Sequence, residues 1–316
     1  MDYDAAKAEF LSVFRDYHVD ILLDLRFKMR LHAAIPDISS DQIVALAKRL
    51  GYTHGILKAY EEPYLGEELR AKNTARWVVG SIRIKDRKLQ LTEIYRQDER
   101  ERLENSPNQR SFLIEKDGEV KEAKGYRRKR AVSPNDAKFI ANIAELNGDE
   151  TVIDPFAGTG GLLIECLSRG IKIFASDIDP VIRPGLAELT DKRCTLADAR
   201  NLPFRDNLFD VIITEPPFGR KNRQDVMDSL PELCRIIKID GKIVLLIAQD
   251  MYENIKSYMI GNGFVMIYDF ILRRHGKLIS RVLRFERIIP ISKNYGALFN
   301  KQLNLRTAIN HLTTSH

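Results

Sequence analysis

The chain has 316 residues, 44% of them hydrophobic and 30% charged, which places it among globular proteins with room for one or two domains. No apolar run approaches the roughly 20 residues of a membrane helix, and the opening MDYDAAKAEF lacks the basic and apolar regions of a signal peptide, so a cytoplasmic protein with no membrane partner is expected. A formal charge of +6 leans toward an anionic partner.

Taken in chain order, VDILLDLRFKMRL alternates in parts like a strand, and SSDQIVALAKRLGY reads as an amphipathic helix. Ser39, Ser40 and Asp41 are its cap candidates, with Ile43, Leu46, Ala47 and Leu50 at helical spacing. Strand-like ARWVVGSIRI and LQLTEIY follow, then the charged RQDERERLENSPNQR, which reads as a connector. The texture changes near residue 118, so residues 1–118 form one expected unit, a small α+β domain. Residues 119–290 form a second, and 291–316 a tail.

In the second unit SPNDAKFIANIAELNG carries Ser133 as a cap, Pro134 in the first turn and Gly148 as a stop. Strand-like and helical runs then alternate: ETVIDPF, GLLIECLSRG, KIFASDID, VIRPGLAELT, CTLAD, FDVIIT, RQDVMDSLPELCRII, GKIVLLIA and MYENIKSYMIGNG. Near-continuous apolar strands between helices predict a mostly parallel sheet covered on both faces, with ligands at the carboxyl ends of the strands. Cys166, Cys194 and Cys234 match neither a zinc pattern nor a disulfide framework and are expected in the core; no metal site is expected.

Three strand ends carry candidate contacts. DPFAGTGG, from Asp154 to Gly161, has glycines that permit positive φ and close backbone approach before a helix N-terminus; a plain tight turn is the alternative. Asp177 ends the next strand, where an acid can accept from ribose hydroxyls or cap a helix. Asp198 follows the third, with the same two readings. The fourth run ends in TEPPFG, whose two prolines cannot continue a central strand.

In this order, DPFAGTGG, SDID, ADARNLP and TEPPFG resemble the motifs of class I S-adenosylmethionine-dependent methyltransferases. They resemble more particularly those of the tRNA guanine-N2-methyltransferases that act on position 10, a group usually carrying a THUMP RNA-binding domain. The likeness covers about residues 131–287, including SPNDAKFIANIAEL and RRHGKLISRVLRFER, and IVALAKRLGYTHGIL is similar to the family's N-terminal region. It implies a Rossmann-like α/β sheet and transfer of methyl from S-adenosylmethionine to an exocyclic amine in structured RNA, with guanine N2 in tRNA foremost. Asp154, Phe156, Gly158 and Gly160 would hold the methionine end of the cofactor, and Asp177 the ribose. Ile178 would pack on the adenine, while Asp198 and the Ala199 amide would read its edge.

For the acceptor, Glu215 and the Pro216 carbonyl would take N–H bonds from the amine, and Phe218 would stack on an extruded base. The family has Asp or Asn before Pro-Pro, so Glu215 is one methylene longer and leaves a binding-only relative open. The N-terminal unit is shorter than a full THUMP domain with its flanks, which makes it a reduced RNA-binding module or a scaffold. Basic clusters at Arg127–Arg130, Arg220–Arg223 and Arg273–His275 are candidates for phosphate contacts. The resemblance leaves open the need for a small activating subunit and the oligomeric state. A DNA adenine-N6-methyltransferase is the enzymatic alternative, disfavoured by only about thirty residues after Glu286 for target recognition. A nicotinamide dehydrogenase would want a Gly-x-Gly-x-x-Gly turn that the chain lacks.

Overall fold

The computed structural model describes residues 3–25, 30–35, 38–52, 55–59, 78–85, 88–96, 112–123, 132–273 and 279–288. The strand-like start at 75–77, the charged connector after its first residue, Arg96, which ends β5, the basic cluster at 127–130, Arg274 and His275, and the tail from 291 lie outside these residues.

The N-terminal part opens with α1 (Tyr3–Val13), a helix that apolar periodicity does not reveal because its buried face includes Glu9 and Ser12. The alternating stretch that follows is divided into β1 (Asp20–Leu25) and β2 (Arg30–Ala34), which pair antiparallel. Helix α2 (Ser40–Ala47) starts on a full capping box: the Ser39 hydroxyl accepts from the Gln42 amide at 3.2 Å, and Gln42 Oε1 accepts from the Ser39 amide at 2.8 Å. A small sheet joins β3 (Gly55–Ala59) parallel to β4 (Val78–Lys85) and β4 antiparallel to β5 (Lys88–Arg96). A hairpin of β6 (Phe112–Lys116) and β7 (Glu119–Ala123) turns through Asp117 and Gly118, both at positive φ.

From residue 132 the chain runs α3 (Pro134–Ile143), β8 (Val152–Asp154), α4 (Gly161–Ser168), β9 (Ile173–Asp177), α5 (Arg183–Leu189), β10 (Cys194–Leu196) and β11 (Phe209–Thr214). It continues α6 (Arg223–Ile236), β12 (Ile237–Ala248), α7 (Tyr252–Gly261), β13 (Phe264–Arg273) and β14 (Ile279–Arg287). The strands form a seven-stranded sheet in the order β10-β9-β8-β11-β12-β14-β13. All neighbours are parallel except β14, which runs antiparallel between β12 and β13. Successive residues feed opposite layers: Val211 and Ile213 lie in the core beside α3 and α4, while Ile212 lies in the core beside α6 and α7. Burial on both faces is why these strands read as continuous apolar runs. Cys166 is fully buried and burial pushes its thiol up to about 12; Cys194 and Cys234 are half-buried.

Two of the joints among the described residues that fasten the N-terminal elements to the helices flanking this sheet are buried. The Phe112 ring of β6 packs on α5 so closely that a Cβ at Gly185 would stand 2.5 Å from its Cζ. The second joint is a buried carboxylate: Glu9 of α1 accepts from the Gly51 amide at 2.7 Å, the Tyr52 amide at 2.8 Å and Asn142 Nδ2 of α3 at 3.0 Å. Beside it the Tyr52 ring stacks on Phe139 at 4.5 Å, and the Ser12 hydroxyl donates to the Asn142 carbonyl. Glu9→Ala would leave the Gly51 and Tyr52 backbone N–H groups unpaired in the interior and remove one of the two bonds of Asn142 Nδ2, which keeps the Arg49 carbonyl, so a loss of about 3 kcal/mol in urea unfolding is expected. Glu9→Gln, which keeps one acceptor oxygen, should lose roughly half as much.

Candidate active site

The sheet order reverses between β8 and β11, and their carboxyl ends are where an open α/β sheet leaves a crevice. Asp154 closes β8 and Thr214 closes β11, and the buried Thr214 hydroxyl donates to Asp154 Oδ1 at 2.6 Å. The same oxygen accepts from the Phe156 amide at 3.0 Å, folding the chain into the loop that enters α4. Burial pushes the Asp154 carboxyl up to about 7 against these two bonds, with the charges of Asp177 and Glu215 adding to the rise.

The loop itself uses glycine where the backbone requires it. Gly160 caps α4 at φ 81°, and a Cβ there would lie 2.4 Å from Leu189 Cδ2. Gly158, at φ 52°, donates its amide to Asp177 Oδ2 at 2.7 Å, linking the loop to the end of β9. Asp177 Oδ1 accepts from the Asp179 amide at 2.9 Å, and its partial burial raises its pKa. Each Asp177 oxygen therefore retains accepting capacity. The next side chain, Ile178, is 63% exposed, unusual for an isoleucine beside a buried strand end. Two buried hydroxyls at this junction, Thr159 Oγ1 and Ser176 Oγ, have no hydrogen-bond partner among the described residues, a condition that a polar ligand or water relieves.

Beyond β10, Asp198 is engaged by its neighbour. Its Oδ1 accepts from the Arg200 amide at 2.9 Å and from Arg200 Nε at 3.0 Å, and its Oδ2 from Nε at 3.0 Å and Nη2 at 2.5 Å. Arg200 holds the Asp198 carboxyl below the usual range and also reaches Asp225, in the first turn of α6, at 2.6 Å. Ala199 is buried. After β11, Glu215 is half-buried, Pro216 is buried, Pro217 is exposed and Phe218 packs against both cores. The turn thus stands over the switch point with its acid in electrostatic range of Asp154.

Direct hydrogen bonds join Asp154, Phe156, Gly158 and Asp177; Gly160 and Ile178 adjoin them in the chain, and Glu215 approaches from β11. Asp198 and Ala199 follow the neighbouring strand, held by the Ala197 amide on the Asp177 carbonyl at 3.0 Å. Sequence reasoning missed Thr214, Thr159, Ser176 and Arg200. Thr214 stood in the quoted TEPPFG, and its position opposite Asp154 emerges only from strand pairing.

The Asp154 carboxyl has a consequence for stability. Its pKa is raised from 3.8 to about 7, so its contribution to folding is fully present below about pH 4 and is lost as pH rises through about 7. The loss is on the order of 4 kcal/mol. Asp154→Asn keeps an acceptor for Thr214 and Phe156 without the charge. Urea midpoints between pH 5 and 8 should therefore fall more steeply for the wild type than for Asp154→Asn.

Comparison with known proteins gives partial likenesses to this chain. Residues 137–260 match the family model described as Conserved hypothetical protein 95. Over 95 residues the chain is 35% identical to the tRNA (guanine(10)-N2)-dimethyltransferase of Methanothermobacter thermautotrophicus, covering 28% of each protein. It is 28% identical over 135 residues to the U6 snRNA (guanine-N(2))-methyltransferase THUMPD2 of Bos taurus, covering 39% of this chain and 27% of that one. It is 32% identical over 119 residues to the ubiquinone/menaquinone biosynthesis C-methyltransferase UbiE of Citrifermentans bemidjiense, covering 34% of this chain and 50% of that one. The chain thus spans between a quarter and a half of the length of these relatives. Sheet order, strand-end motifs and relatives together make the seven-stranded unit similar to class I S-adenosylmethionine-dependent methyltransferase domains, among them those of the RNA guanine-N2-methyltransferases.

Proposed function

We propose that the protein transfers a methyl group from S-adenosylmethionine to an exocyclic amine of a nucleobase in structured RNA, with guanine N2 of tRNA as the substrate. The observation that supports the reading is the TEPPFG turn that follows β11, whose Glu215 lies in electrostatic range of Asp154 at the start of the glycine loop. Likeness to a quinone C-methyltransferase as well as to RNA enzymes means that shared identity speaks for the domain, and the acceptor has to be read from this turn.

The residues at the strand ends suit the cofactor. Carboxyls at Asp154 and Asp177, both raised by burial, favour a cationic ligand, and the unpartnered Thr159 and Ser176 hydroxyls offer it hydrogen bonds. Bound there, S-adenosylmethionine supplies an electrophilic methyl group on a sulfonium. Asp154, Phe156, Gly158 and Gly160 hold its amino-acid end, and Asp177 takes the ribose hydroxyls on the lone pairs that Gly158 and Asp179 leave. Ile178 covers the adenine, whose edge meets the Ala199 amide and Asp198.

The lone pair of guanine N2 is delocalised into the ring, so the protein has to localise it. Glu215 and the Pro216 carbonyl accept the two N–H bonds, favour a more tetrahedral nitrogen and stabilise the positive charge that develops on it as the methyl–sulfur bond breaks to leave a thioether, and the nitrogen then gives up one proton through Glu215 to solvent. Phe218 supplies the face on which the base stacks, worth on the order of 1 to 3 kcal/mol. One residue favours a second reading: Glu215, in place of Asp or Asn, suits a cofactor-binding RNA-binding protein without turnover.

Labelled methyl transfer to separate tRNA, rRNA and DNA fractions tests the choice, with incorporation expected in tRNA. Glu215→Ala should lower kcat by about 100-fold or more with cofactor affinity unchanged, while Glu215→Asp should retain transfer. No incorporation into RNA despite cofactor binding would favour the second reading. Because a cationic ligand end draws the Asp154 proton off, cofactor affinity should rise with pH through about 7, with a proton released to buffer in calorimetry.

A further inference from the structure

The mouth of the site poses an electrostatic problem that its own carboxylates create. Asp154, Asp177 and Glu215 gather at neighbouring strand ends, with Asp198 beside them paired to Arg200, which suits a cationic cofactor and repels a nucleic-acid backbone. A polyanion can approach only if cations stand outside this ring of acids.

Two cations of this edge are already committed. Arg200 is held by Asp198 and Asp225, and Arg223 by Asp250. Arg183, Arg220 and Lys221 are exposed and have no ion pair or hydrogen bond from their side chains among the described residues. Their places are set by topology. Arg183 follows the short 3-10 turn after β9, six residues beyond Asp177, whereas Arg220 and Lys221 lie in the 3-10 turn after β11, directly behind Phe218. Lys172, Lys192 and Arg205 are also unpaired and exposed, but they stand before β9, β10 and β11, at the opposite edge of the sheet. Strand β8 alone separates β9 from β11, so the two groups start from strand ends about 10 Å apart.

We propose that Arg183 on one side and Arg220 with Lys221 on the other form a phosphate clamp that grips the RNA backbone flanking the target nucleotide. The proposal rests on the RNA reading above. The clamp holds the backbone over the acid ring while the base between turns down toward Phe218 and Glu215. It makes no base contact, so it fixes register without reading sequence. The contacts are to phosphate oxygens, so their strength falls with salt.

Direct binding of a tRNA transcript, followed by fluorescence anisotropy from 50 to 300 mM KCl, tests the clamp beside methyl transfer. The variants are Arg220→Ala/Lys221→Ala, Arg183→Ala and the charge-preserving Arg220→Lys/Lys221→Arg. The double alanine variant should weaken RNA binding about tenfold and reduce the salt slope by about 1.5, at 0.7 to 0.9 per cation removed. Arg183→Ala should reduce the slope by about 0.8. KM for RNA should rise while kcat at saturating RNA and cofactor affinity stay within twofold, and the charge-preserving variant should behave as wild type. Unchanged RNA affinity and salt slope in both alanine variants, with wild-type methyl transfer to RNA intact, would overturn the clamp and leave the proposed activity standing. A wild type that binds tRNA with these slopes yet transfers no methyl would support the clamp and count against the activity. A wild type with no affinity for RNA would overturn both.

Discussion

The bond from the Thr214 hydroxyl to the Asp154 carboxylate ties together the carboxyl ends of β8 and β11, the two strands between which the sheet reverses its order. Everything at the site is hung from that tie. Asp154 directs the glycine loop through the Phe156 amide, the loop reaches Asp177 through the Gly158 amide, and β11 delivers Glu215 and Phe218 over the same point. The bonded carboxyl is fully buried, so losing a partner would strand a charge or a polar group where water cannot compensate it. The arrangement is rigid because its alternatives are costly.

Burial of acids also sets the electrostatic character of the site. Desolvation raises Asp154 and Asp177, while Arg200 lowers Asp198, so three acids at successive strand ends sit in different environments. A pocket so lined favours a cation and resists a polyanion. The partition of cations follows: Arg200 and Arg223 are spent on acids within the fold, and Arg183, Arg220 and Lys221 remain outside. Arg200 also spans from Asp198 to Asp225, so the β10 end of the site and the helix behind the Pro-Pro turn share one guanidinium.

The attachment of the N-terminal elements follows a different logic. Glu9 replaces an apolar residue on the buried face of α1 and spends its two oxygens on amides at the end of α2 and on Asn142 of α3. Phe112 needs the bare backbone of Gly185. Neither contact is large, but each requires one geometry, and together they hold α1 and the β6–β7 hairpin on the helices that flank the sheet. The hairpin turns at Asp117 and Gly118.

Local chemistry made much of this readable in advance. The capping box at Ser39, the Ser133 cap with Pro134, the apolar strand runs and the glycine loop all act over a few residues, so they are written in contiguous sequence. The strand ends carrying Asp154, Asp177, Asp198 and Glu215 were legible for the same reason. Helix α1 was not, because its periodicity is broken by polar residues whose partners lie more than forty positions away. Nor were the Thr214–Asp154 tie, the capture of Asp198 by Arg200 and Asp225, or the separation of free from committed arginines. Each depends on which strands become neighbours, and that is decided by packing across the whole sheet. The sequence by itself determined the kinds of residue at each strand end; only the tertiary structure decided which of them meet, since their spacing in the chain bears no relation to their spacing across β9, β8 and β11.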